Sequence, residues 1–132
     1  MTQPYRILVV DDSRDAAFLL KILLAKIGHT VEIASDGRSA ICAAQAEPPD
    51  IVFCDISMLG MDGYQVAEQM RADETTRGAY LVALTGYGND ADRARALQSG
   101  FDAHLVKPVG LSVLQATIEE VEKRREGRSD VR

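Results

Sequence analysis

Apolar strand-like runs recur along the chain at residues 7–10, 31–34, 51–54, 80–84 and 103–106, and an amphipathic stretch separates each from the next. Strands that alternate with helices predict a parallel sheet covered by helices on both faces. The first helix should start at Ser13, a good N-cap, with Ala16, Leu19, Leu20, Leu23, Leu24 and Ile27 on one broad face and Gly28 as its stop. A second, Ala-rich helix is predicted from about Gly37 to Ala46, ahead of Pro48-Pro49. A third runs from about Gly63 to Ala72, with Val66, Ala67 and Met70 facing inward. The fourth, near residues 90–99, offers only the narrow stripe Ala91, Ala94 and Leu97, which predicts a weak grip on the sheet. The fifth carries Leu111, Leu114, Ile118 and Val121 at spacings of three and four, a core stripe too short for a coiled coil. The chain then becomes strongly charged, so a tail from about residue 126 to 132 is expected to be frayed and solvated, leaving residues 1–125 as the folded domain. The fold class is therefore α/β, a doubly wound five-stranded parallel sheet.

With 132 residues, 46% of them hydrophobic, the chain suits one compact domain. Its net charge of −5 gives no electrostatic footprint for phosphate backbones, which argues against direct nucleic-acid binding. No run approaches the roughly 20 apolar residues that span a bilayer, and the N-terminus lacks a signal-peptide pattern, so a cytoplasmic protein without membrane contact is expected. Cys42 and Cys54 have neither C-x-x-C nor metal spacing and read as small packing residues.

Charge changes the picture at the ends of the apolar runs. Asp11 and Asp12 directly follow the first run and Asp55 follows the third, while Thr85 and Lys107 follow the fourth and fifth. Open parallel sheets place their chemistry at that edge. Isolated buried carboxylates are costly, so three converging there suggest a divalent-cation pocket. Mg2+ takes oxygen ligands and keeps several waters, and Asp12 and Asp55 are the natural direct ligands. A carboxylate can also attack phosphorus to form an acyl phosphate when cations neutralise the transferring group, and Asp55 is best placed to do so. Lys107 could hold one phosphoryl oxygen as a point charge while the Thr85 hydroxyl donates to another.

Through Val9-Val10-Asp11-Asp12-Ser13, Asp55-Ile56-Ser57-Met58, Met61-Asp62-Gly63, Leu84-Thr85-Gly86 and Val106-Lys107-Pro108, the chain resembles the receiver domain of two-component response regulators. The likeness covers about residues 5 to 125. It implies a flavodoxin-like strand order of 2-1-3-4-5. It also implies Mg2+-assisted phosphoryl transfer to Asp55 from a sensor histidine kinase or a histidine phosphotransfer protein. By the same likeness Asp11, Asp12, Asp55 and the Ser57 backbone carbonyl form the metal site, Thr85 turns toward the phosphoryl group, Lys107 holds it, and the Lys107-Pro108 bond is cis. The chain departs from the usual pattern at Leu59, where a proline is common, and at His104, where switching receivers often carry Tyr or Phe. Asp62-Gly63 reads as turn and cap chemistry, and His104 as a partly buried histidine rather than a ligand. Tyr87, a bulky ring two residues after Thr85, could shield the phosphoryl group from water.

The leading function is a phosphorylation switch that changes affinity for a downstream protein through the face of the fourth helix, fifth strand and fifth helix. It would be a free single-domain regulator or relay intermediate, with a phosphorylation-dependent dimer compatible with that role. The alternatives are the receiver segment of a hybrid histidine kinase and a phosphorylation-independent interaction domain. A true aspartyl-phosphate phosphatase would need a second acid/base carboxylate two residues after its nucleophile, and position 57 is Ser. Apart from its own phosphorylation and dephosphorylation, the chain is not expected to be an enzyme.

Overall fold

A computed structural model describes residues 4–130. Its strands are β1 (Arg6–Val10), β2 (Thr30–Ala34), β3 (Ile51–Asp55), β4 (Tyr80–Thr85) and β5 (Ala103–Val106). Between and after them run α1 (Arg14–Lys26), α2 (Gly37–Ala46), α3 (Gly63–Ala72), α4 (Asp90–Ser99) and α5 (Leu111–Asp130). All strand pairs are parallel, in the order β2-β1-β3-β4-β5, which is the expected doubly wound sheet. The central strand β3 is buried along its whole length, as a continuous apolar run requires, whereas the edge strand β2 alternates between exposed and half-buried positions before the buried Ala34.

Side-chain alternation divides the core into two layers. Ile7, Val9, Ile51, Phe53, Val82 and Leu84 pack with Leu20 and Leu24 of α1 and Leu114, Ile118 and Val121 of α5. Leu8, Val10, Val52, Cys54, Leu81 and Ala83 pack on the other face with α2, α3 and Ala96 of α4. Helix starts are fixed by side-chain oxygens that take up otherwise unpaired backbone N–H groups. Ser13 accepts from Ala16, Asp36 from Ser39, and Asn89 from Asp92, while Asp62 and Gln65 form a reciprocal capping box.

Three expectations about helices need correction. In α1 the buried seam is Ala17, Leu20 and Leu24, and Leu19 is 55% exposed. The rotation leaves Phe18, Leu19 and Ile22 facing outward, a choice that periodicity could not make because apolar residues occur on both sides of this helix. In α4 the expected stripe of Ala91, Ala94 and Leu97 is exposed, and Ala96 and Ser99 face the sheet instead. Small residues allow that seam to approach closely while burying little area. Finally, α5 continues through Asp130, past the point at which a frayed tail was expected; residues 131–132 of that tail lie outside the described residues.

The strand N-terminal edge is tied by Arg71 of α3. Its guanidinium donates to the carbonyls of Gly100, Arg77 and Ala79 and, at 2.7 Å, to the Asp102 carboxylate. Asp102 also accepts from the backbone of Leu81 and from Arg124 of α5, which lies over the Tyr80 ring. One carboxylate thus links α3, β4 and α5, and its loss would take the acceptor from the Leu81 N–H and from Arg124 and leave Arg71 with its three carbonyls alone. Asp102→Ala is expected to lower unfolding free energy by about 2 kcal/mol, allowing for partial solvent access. Urea denaturation measures this, and a change below about 0.5 kcal/mol, the usual range for surface substitutions, would contradict the assigned role.

Candidate functional site

The strand C-terminal edge gathers the acidic residues because β1 and β3 are direct neighbours and end within one residue of each other. Val10 is in register with Cys54, so the next residue of each strand is an aspartate. Backbone bonds set both positions: Asp11 N–H donates to Ala34 and Ile56 N–H to Leu84. Asp11 and Asp55 are almost fully buried, at 1% and 5% exposure, while Asp12 is open to solvent. Each of the three offers a carboxylate oxygen, and these oxygens lie within 4.8 Å of one another. That is an all-oxygen donor set suited to a hard divalent cation, with its exposed member on the side from which hydrated metal can enter.

Lys107 completes the pocket. Its Nζ lies 3.2 Å from Asp11 Oδ2 and 3.2 Å from Asp55 Oδ2. Burial opposes the ammonium charge, but Asp11 and Asp55 outweigh it and raise the Lys107 pKa above its ordinary value. Burial also raises the Asp55 pKa; Asp11 adds to that effect, and the Ser57 N–H and Lys107 counteract it. The second oxygen of each buried carboxylate is held by the backbone: Asp11 Oδ1 accepts from Ser13 N–H and Asp55 Oδ1 from Ser57 N–H, both at 2.9 Å. These bonds fix carboxylate orientation before any ligand arrives.

Thr85 is buried at the end of β4, one residue beyond Leu84, which is the register partner of Asp55. Its Oγ1 accepts from Tyr87 N–H at 3.1 Å. The Lys107 N–H donates to Thr85 O at 2.7 Å, which couples the two strand ends, and the Lys107-Pro108 bond is cis as expected. The Tyr87 ring is 75% exposed, so it stands in solvent rather than closing over the carboxylates. Leu59 is also exposed, and Gly60 beside it has a positive φ of 75°. Cys54, adjacent to Asp55, is fully buried, and its thiol pKa is pushed far up by burial, which makes it a packing residue.

Gly63 has a role beyond capping. A Cβ there would lie 2.6 Å from the Asp55 carbonyl oxygen and 2.6 Å from Ile56 Cα, so only glycine lets α3 start against the strand that carries Asp55. The Asp62-Gly63 pair signals a turn in the sequence, but the close approach depends on chain segments that meet only in the fold.

A family model for the response regulator receiver domain matches residues 7–119. Protein PilH of Pseudomonas aeruginosa is 34% identical over 116 residues, covering 88% of this chain and 96% of PilH. The chain spans about half the length of other curated relatives, 46% of one and 49% of another. Among solved structures, the chemotaxis protein CheY4 of Vibrio cholerae superposes with a TM-score of 0.86 at 27% identity, covering 90% of this chain and 99% of CheY4. The receiver domain of sensor histidine kinase PA1611 from P. aeruginosa PAO1, solved with a magnesium ion coordinated in its active-site cleft, gives a TM-score of 0.82 at 28% identity, covering 89% and 97%. The acidic trio of Asp11, Asp12 and Asp55 is typical of the Mg2+ site in such domains. With the family model matched over most of its length, the chain belongs to the response regulator receiver domain family.

Proposed function

We propose that the chain is a phosphoacceptor switch in which Asp55 takes a phosphoryl group from a histidine kinase or a histidine phosphotransfer protein. The observation that carries this reading is the shared Lys107 ammonium, 3.2 Å from both Asp55 and Asp11, beside three carboxylate oxygens. Asp11, Asp12, Asp55 and the Ser57 carbonyl would hold Mg2+, which supplies charge neutralisation for the transferring group and an anchor for its oxygens. An Asp55 carboxylate oxygen forms the new bond to phosphorus as the bond to the donor nitrogen breaks, and the departing imidazole recovers a proton. Lys107 then exchanges part of its contact with Asp55 for a phosphoryl oxygen, and the Thr85 hydroxyl donates to another.

Two surface features support protein partners. Between α1 and the β5–α5 connection lies a cavity of about 330 Å³, lined by Asp11 and Lys107 together with Leu19, Leu20, Pro108 and Val109. It opens the acidic pocket to an apolar surface suited to a donor protein. On α4, β5 and α5, the apolar side chains of Leu97, Val106 and Val113 are exposed, consistent with a downstream target on that face. A free-standing regulator or relay intermediate is the preferred form, supported by the near-complete coverage of PilH. The receiver segment of a hybrid kinase is the second reading, favoured by the fold match to the PA1611 receiver. Within the described residues no helix is long and apolar enough to cross a membrane.

Incubation with acetyl phosphate and Mg2+ should add one phosphoryl group to the wild type, read by mass spectrometry, and none to Asp55→Asn. Equal labelling of both proteins would rule out Asp55 as acceptor. A second expectation follows from charge. Because the folded state raises the Asp55 pKa, ionised Asp55 destabilises the metal-free fold at neutral pH, and this penalty fades as pH falls through that raised value. Asp55→Asn should therefore raise the metal-free thermal midpoint at pH 7, and added Mg2+ should narrow the gap by stabilising the wild type. A lower midpoint for Asp55→Asn without metal would contradict the sign.

A further inference from the structure

Among the described residues, the only buried side-chain nitrogen or oxygen atoms without a hydrogen-bond partner are both ring nitrogens of His104. Enclosed polar atoms are normally paired, so a ring with neither nitrogen satisfied needs a physical account. His104 lies within β5, in register with Ala83 of β4. Its strand neighbours Ala103 and Leu105 pack in the layer of α1 and α5. Alternation therefore turns His104 to the opposite face, where Ala83, Ala96 and Phe101 pack and where α4 lies.

The charged groups acting on the ring come from α4: Arg93 opposes its protonation and Asp92 favours it, with Arg93 the stronger. Opposite it on β4 stands the uncharged Ala83. Burial is the largest influence and also disfavours the charged ring, so the His104 pKa falls below its ordinary 6.5. Helix α4 is held by a narrow buried seam, Ala96 and Ser99, and by Arg95 stacked 4.0 Å over the Tyr64 ring of α3, so little apolar area opposes its outward movement from β5.

We propose that His104 is a proton-sensitive element that loosens α4 from the sheet in acid, because leaving its two enclosed nitrogens unpaired costs far more for the charged ring than for the uncharged one. An imidazolium must donate from both nitrogens, and the seated arrangement offers neither an acceptor. Moving α4 outward admits water to both. The unseated state thus binds a proton more readily than the seated one, and acid shifts the population toward it. If this face reads out phosphorylation, as proposed above, protons bias the same equilibrium; that consequence rests on the functional reading, whereas the titration does not.

The test is an NMR titration of the unphosphorylated protein between about pH 8 and 5, following the His104 ring and the α4 backbone amides together. The expected result is a His104 midpoint below 6.5, with the amides of Asp90–Ser99 shifting at that same midpoint. His104→Phe should remove this transition from α4, whereas His29→Gln should leave it intact. A His104 midpoint at or above 6.5, or α4 amides that do not follow it, would overturn the proposal, and the wild-type titration decides even if a variant does not fold.

Discussion

The ammonium of Lys107 is the contact on which the acidic edge depends. Asp11 and Asp55 project from adjacent central strands into nearly dry surroundings, and one cation 3.2 Å from each holds them together. Like charges about 4 Å apart repel by about 4 kcal/mol at an effective dielectric near 20. A single ammonium offsets part of this, and with Asp12 included the pocket keeps a net negative charge. Burial raises the Asp55 pKa, with Asp11 adding to it, in spite of the Ser57 N–H and Lys107. A divalent cation is the natural complement, and so is chemistry that adds a phosphoryl group only where cations can share its charge.

The scaffold serves that edge by making it rigid. Parallel pairing of β1 with β3 and of β3 with β4 fixes the heights of Asp11, Asp55 and Thr85, and backbone N–H groups orient both buried carboxylates. Gly63 lets α3 begin directly against the Asp55 backbone, which leaves the β3–α3 connection little freedom at its far end. The opposite edge is anchored separately through Arg71 and Asp102. Between these fixed edges α4 is the loosely held element, with its small-residue seam and the unsatisfied His104 beneath it.

Most of this architecture was legible in the sequence because its signals are local. Continuous apolar runs followed by Asp, Thr or Lys marked the strands and their functional ends, and Ser13, Asp62 and Gly28 marked helix boundaries. The cis Lys107-Pro108 bond and the strand order followed from the receiver resemblance rather than from spacing. Helix phase was less legible. Apolar residues on both sides of α1 allowed Leu19 to pass for a core residue, and in α4 the small residues Ala96 and Ser99 were overshadowed by Leu97, which points to solvent. The exposed Tyr87 ring, the Gly63 approach and the unpaired His104 nitrogens depend on tertiary neighbours that no short window contains.

Separate strand ends bring Asp11, Asp12 and Asp55 into one pocket suited to a divalent cation. The most direct measurement is a Mg2+ titration followed by backbone amide NMR. One saturable transition is expected, with the largest shifts clustered at residues 10–13, 55–58, 85–87 and 107 and reduced by Asp12→Asn. Absence of saturable shifts, or shifts centred away from those strand ends, would contradict it.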